Sequence, residues 1–221
     1  MTEKLLNGDI IEQVQEVFDG LDGPVEILFF GDKSNCEYCS DTLQLVDEIT
    51  ALSEKLGLST YDLNDDAAIA QQYNVDKAPG LVLAGKDGDQ ILDYGIRYAG
   101  IPSGHEFSSL IHDLTLVSGR DSGLDKDTRQ FLGELTQPIL LQVFVTPTCG
   151  YCPQAVVLAH QMAMESPMVQ AEMVEAMEFP ELASRFGVSG VPQTTINDGA
   201  GTVVGAVPQE HLIAEIQQIV E

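Results

Sequence analysis

The chain has 221 residues, 44% of them hydrophobic, which suffices for one large domain or two of about 110 residues each. Its 35 acidic and 10 basic side chains give a formal net charge of −25. Charge repulsion therefore argues against nucleic acid and anionic membrane surfaces as partners.

The acidic residues are scattered among apolar segments, which marks a folded protein with an acidic surface, suited to a salty cytoplasm or simply an ordinary acidic protein. No apolar run approaches the roughly 18 residues of a membrane span. The opening "MTEKLLNGDI" lacks the basic and apolar regions of a signal peptide, so the expected compartment is the cytoplasm. In that reducing setting a CxxC pair reads as catalytic, redox or metal-binding rather than as a structural staple.

In chain order, "DIIEQVQEVF" has helical periodicity, with Asp9 as the expected N-cap. "VEILFF" is a short β-rich run of buried-strand length, and "SNCEYCSD" follows it with Cys36 and Cys39. Helical spacing resumes through "CSDTLQLVDEITALSEKLG", with Gly57 as the expected stop. An extended "LSTYDLN", a short helix "AAIAQQY", Pro79 and two strands turning around Lys86–Gly88 come next, closed by the helix "HEFSSLIHDLTLV".

The same order then repeats. "DKDTRQFLGEL" opens it, with Asp125 as N-cap, followed by "PILLQVFV", "TPTCGYCPQ" and the helical "CPQAVVLAHQMAME". "VQAEMVEA", "FPELASRF", Pro192, two strands turning around Asp198–Gly201 and the helix "QEHLIAEIQQIV" complete it. Cys36 and Cys149, Cys39 and Cys152, and Pro79 and Pro192 are each separated by 113 positions. A shared offset at three landmarks indicates a duplicated chain. The units are expected at residues 1–118 and 119–221, with a connector around Gly119 and Gly123.

In a strand–CxxC–helix arrangement the first cysteine sits at a helix N-terminus, where free N–H groups and the helix dipole favour the thiolate. Cys36 and Cys149 are thus the expected nucleophiles, and Cys39 and Cys152 the cysteines that resolve the mixed disulfide. A proline leading into a strand suits a cis bond. Facing the cysteines, Ala78–Pro79 and Val191–Pro192 would then offer the backbone of Ala78 and Val191 to an extended substrate. Tyr38 and Tyr151 are positioned either to flank the substrate disulfide or only to pack.

Strand, CxxC, helix and a proline 43 residues after the first cysteine resemble the thioredoxin fold, and "CEYC" and "CGYC" resemble glutaredoxin more than thioredoxin. Two such units in tandem resemble the protein disulfide oxidoreductases, or glutaredoxin-like proteins, over nearly the whole chain. The resemblance implies an α/β protein of two tandem thioredoxin-like folds, each a mixed central sheet flanked by helices. It implies an enzyme that reduces, forms or isomerises protein disulfides, with redox-active disulfides and no bound cofactor. Its expected partners are protein disulfides as substrates and an NADPH-dependent, thioredoxin-reductase-like flavoprotein as electron donor. Two departures stand out. The buried carboxylate that thioredoxins carry six residues before the first cysteine is replaced by Phe30 and Val143, and the chain has no tryptophan. Glu48 is the available substitute as proton relay, but its repeat partner is Gln161.

Rival readings are a four-cysteine zinc site, argued against by the long gap between the pairs, and an electron-relay or docking module with one competent CxxC. No metal ligands are assigned. His105, His112, His160 and His211 read as surface or packing residues, and Met162, Met164, Met168, Met173 and Met177 as core filling. Asp32, Lys33, Glu37 and Asp41 surround Cys36, whereas no charge occurs from Phe144 to Val157, so the thiolate is expected to form more readily at Cys149.

Overall fold

A computed structural model describes residues 4–220, so both outer ends of the expected units, residues 1–3 and 221, lie outside it. The first half runs α1 (Gly8–Phe18), β1 (Val25–Gly31), α2 (Cys39–Thr50), β2 (Leu56–Asp62), α3 (Ala67–Gln72), β3 (Gly80–Asp87), β4 (Gln90–Ala99) and α4 (Glu106–Gly119). The second repeats that order as α5 (Lys126–Gly133), β5 (Ile139–Val145), α6 (Cys152–Glu165), β6 (Val169–Glu175), α7 (Pro180–Arg185), β7 (Gln193–Ile196), β8 (Gly201–Val204) and α8 (Gln209–Val220).

Alternation along the strands decides how the layers form. In β1, Val25, Ile27 and Phe29 point into a core that extends beneath both halves, covered by α1, α2, α4, α6 and α8. Leu28 and Phe30 point the other way, into a small cluster closed by Ala70 and Tyr73 at α3. Phe144 and Val174 face that same side, under Ala183 of α7. Each half is a thioredoxin-like fold with a mixed sheet, but the two sheets are joined. The order β2-β1-β3-β4-β6-β5-β7-β8 makes one eight-stranded sheet, closed at the middle by parallel pairing of Ile96–Ala99 with Ala171–Val174.

Several local expectations shift. Asn7, not Asp9, caps α1 by accepting from the Ile10 N–H at 2.9 Å. Asp125 does cap α5, accepting from the N–H groups of Asp127 and Thr128. The helix after the first CxxC ends at Thr50, and Gly57 lies inside β2, pressed against the Glu26 carboxylate. The β3–β4 turn is the pair Gly88–Asp89, and the β7–β8 connection spans residues 197–200. Met162 and Met173 are buried in the core, but Met177 is 74% exposed.

Candidate active site

β1, β4, β6 and β5 all run in one direction, because β1 and β4 are each antiparallel to β3 while β4, β6 and β5 are mutually parallel. Their C-terminal ends therefore share one edge of the sheet. The two CxxC segments follow β1 and β5, and so both lie on that edge. Four strand spacings separate β1 from β5, about 19 Å.

Both pairs are closed as disulfides, Cys36–Cys39 and Cys149–Cys152, each with Cα atoms 5.5 Å apart. Regular helix begins at the second cysteine of each pair. Cys36 and Cys149 thus sit in the turn just before the N-terminus rather than in the first turn itself. The field of the helix dipole still reaches them there. Cys36, Cys39 and Cys149 are not fully buried, whereas Cys152 is. Cys39 instead lines a cavity of about 360 Å³ with Asp32, Lys33 and Tyr61, near the β2 margin of the sheet. Tyr38 and Tyr151 are exposed.

Ala78–Pro79 and Val191–Pro192 are both cis peptides. The prolines are buried, and Ala78 and Val191 are half-buried. The Pro79 and Pro192 carbonyls accept from the Gly100 and Gly205 N–H groups at 2.8 Å, and the strands they lead into pair beside β1 and β5. This puts both dipeptides at the cysteine edge.

Each loop is held differently. In the first, Asp32 Oδ1 accepts from the N–H of Ser34 at 2.7 Å, and Asp62 Oδ2 from that of Lys33 at 3.0 Å. Hydrogen bonds from the N–H groups of Asp65 and Lys33 hold the Asp62 carboxyl below its usual range. In the second, the first half does the holding. The His105 N–H donates to the Pro147 carbonyl at 3.0 Å, and the His105 ring lies about 4 Å from where a Gly150 side chain would begin. Gly104, at φ +61°, lies against the same Pro147 carbonyl, and a Cβ there would collide with it.

Sequence reasoning leaves out this crossing contact. It reads His105 as a surface or packing residue, with no ligand spacing to the cysteines. It also leaves out Glu106, the next residue, which is 1% exposed. Glu106 Oε2 accepts from Ser109 Oγ at 2.5 Å, while Oε1 is buried with no partner. Burial pushes its carboxyl up to about 7, opposed by Ser109 and His160. Glu48 is no relay. It accepts from the N–H groups of Leu5 and Leu6 and from Gln44 Nε2, contacts that hold it below its usual range against the desolvation that would raise it. No group of His, Cys, Asp and Glu suited to a metal occurs among the described residues, and all four cysteines are paired within their motifs.

Residues 140–219 match the thioredoxin domain family model. A protein disulfide oxidoreductase from Aeropyrum pernix superposes with a TM-score of 0.89 at 29% identity, covering 100% of this chain and 95% of that one. The NTD_N/C domain of alkylhydroperoxide reductase AhpF from Enterococcus faecalis gives 0.85 at 28% identity, covering 98% and 100%. Among curated relatives, the AhpF-type alkyl hydroperoxide reductase component of Staphylococcus aureus is 26% identical over 193 residues, 87% of this chain and 34% of that protein. NADH dehydrogenase of Bacillus subtilis is 26% identical over 80% of this chain and 31% of its own length. The chain thus spans about a third of the curated relatives it matches. It has tandem thioredoxin folds and two CxxC disulfides, and is similar throughout to thiol–disulfide oxidoreductases.

Proposed function

We propose that the chain exchanges disulfides with polypeptides at both CxxC sites. The observation that carries this reading is the placement of each CxxC disulfide on the same sheet edge as an X–Pro dipeptide, half-buried at X and buried at the proline, that leads into a strand. In the reducing direction, the thiolate of Cys36 or Cys149 attacks a substrate S–S bond and releases one substrate thiolate. Cys39 or Cys152 then attacks the mixed disulfide, releasing the second thiolate. Two electrons pass to the substrate and the CxxC pair is left oxidised. An external dithiol restores it, and the reverse sequence forms substrate disulfides.

The backbone of Ala78 and Val191 aligns the substrate as an added strand, with Pro79 and Pro192 behind it. Tyr38 and Tyr151 frame the approach with exposed rings. On the second site's side of the edge, Glu106 is the carboxyl available as proton acceptor. It is buried beside the loop that docks on Pro147, has a free oxygen and titrates near neutral pH. We place the division between the units at residues 118–119, at the end of α4, and the protein in the cytoplasm. No helix among the described residues is long and apolar enough to cross a membrane.

A thioredoxin-reductase-like flavoprotein using NADPH is the electron donor in this reading. The matches to AhpF and to longer NADH dehydrogenases favour a second arrangement, in which the chain relays electrons inside a reductase–peroxidase system with one competent pair. Insulin reduction by proteins retaining one CxxC pair at a time separates the two. Two independently active pairs support exchange at both sites, whereas one inert pair supports the relay.

A further inference from the structure

The segment after β6 belongs to the second half, yet it lies on the cysteine edge between the two CxxC loops, where Met177 stands 74% exposed. Beside it, Glu178 packs against the first half. Its Oε1 accepts from the Ile101 N–H at 2.8 Å, and its own N–H donates to Glu175 Oε2 at 2.6 Å. Gly100 leaves the space for this, because a Cβ there would lie 2.9 Å from Glu178 Oε1. The other oxygen, Oε2, is buried and has no hydrogen-bond partner.

Glu178 also lines an open cavity of about 640 Å³, together with the apolar Phe179, Pro180 and Leu182 and the cationic Lys77 and Arg185. Lys77 directly precedes Ala78–Pro79, the dipeptide that receives substrate in the function proposed above. β3 and β6 are two strand spacings apart, about 10 Å, a gap that a long side chain projecting from a docked strand can enter. Lys77 is already engaged by Asp76 and Glu172, and Arg185 by Asp198. The unsatisfied groups here are acceptors, with Glu181 exposed on the rim and Glu37 of the first CxxC acting on Glu178. An apolar wall with the Glu178 and Glu181 carboxylates among its lining suits a side chain with an apolar stem and a cationic head.

We propose that this cavity is a side-chain subsite of the first cysteine pair, taking an arginine or lysine of the substrate polypeptide against Glu178. The proposal rests on the exchange reading of Cys36–Cys39. It makes the first site selective for basic segments, by means of a residue from the other half. Burial, with Glu175 and Glu37 adding to it, pushes the Glu178 carboxyl up to about 7. A bound guanidinium favours the ionised form, so its binding releases a proton, and selectivity rises as the pH passes from 6 to 8.

The test uses protein carrying Cys149→Ser and Cys152→Ser, so that only the first pair reacts. Its reduced form is mixed with peptide disulfides bearing arginine or glutamine within two residues of the reacting cysteine. The arginine peptide should react about tenfold faster at pH 8, as expected for one charge-assisted hydrogen bond, and this advantage should shrink at pH 6. Glu178→Gln should bring the ratio of the two rates close to one. An arginine advantage that is absent, or unchanged in Glu178→Gln, overturns the subsite. Calorimetric binding of a cysteine-free arginine peptide to the oxidised protein reads the same site without chemistry. If hydroxyethyl disulfide also fails to react while that peptide binds, the exchange reading fails and the cation subsite stands. If neither reacts nor binds, both fall.

Discussion

His160 Nδ1 lies 2.6 Å from Asp113 Oδ2, and both side chains are fully buried. The pair links α6 of the second half to α4 of the first. Tyr98 Oη donates to the same carboxylate oxygen, and His160 Nε2 contacts the Arg97 carbonyl at 3.1 Å. Removing one partner leaves the others buried and uncompensated. Asp113→Ala is therefore expected to cost about 3 kcal/mol or more in urea unfolding. His112→Ala, on the exposed side of the same helix, should stay within about 0.5 kcal/mol.

Cys36→Ser and Cys149→Ser should each abolish exchange at their own site while the other continues, as read by insulin reduction. Replacing all four cysteines by serine should leave no activity. Full turnover in that protein would exclude dithiol chemistry.

The nucleophiles should differ in reactivity. Asp32 and Glu37 stand near Cys36, whereas the second loop carries no charge of its own. Negative neighbours disfavour a thiolate, so iodoacetamide should alkylate Cys149 faster near pH 7 than Cys36, each measured as the single reactive cysteine. The opposite ranking would move the main catalytic role to the first site.

Glu106 gives a stability signature with a definite sign. Its folded carboxyl titrates near 7, against 4.5 unperturbed. Between those values the folded state holds the proton and the unfolded state does not, so stability should fall as the pH rises from 4.5 through 7. The loss is on the order of 2 kcal/mol, allowing for relaxation around the charge. Glu106→Gln stays neutral throughout and should flatten that stretch of the urea-midpoint profile.

With a net charge of −25, self-repulsion opposes the folded state. Screening acts over about 10 Å at 0.1 M salt, so the melting temperature should rise with KCl. A flat or falling profile up to molar KCl would remove the case for a salt-adapted surface.

Much of this is legible in the sequence because it is carried by local rules. The 113-residue offset marks both repeats, short β-rich apolar runs such as "VEILFF" mark the strands, and Asp125 announces its helix. Asp9 is a good cap residue by type, but it lies inside the helix, and it is Asn7 that has the extended backbone and caps. Gly57 reads as a helix stop because the pattern "TALSEKLG" does not reveal that α2 unwinds after Thr50. The relations between the halves leave no local signal. The docking of His105 on the second loop, the free oxygens of Glu106 and Glu178, and the His160–Asp113 pair all depend on how β4 meets β6. Polar residues at positions that face the core, such as Asp113 within "LIHDLTLV", are the one available hint.

The β4–β6 seam is a head-to-tail junction, joining the outer hairpin strand of one repeat to the outer parallel strand of the next. A junction of that kind does not close on itself, and repeated it generates an open array. The two outermost strands, β2 and β8, are of the same two types and so are in principle able to pair between molecules. The side chains that lock the seam are not repeated there. Val203 takes the register position of Tyr98, and Asp47 stands 113 positions before His160. A contact between copies at those strands would lack the buried clamp and would bring together two strongly acidic surfaces, so the duplication carries its own safeguard against fibre growth.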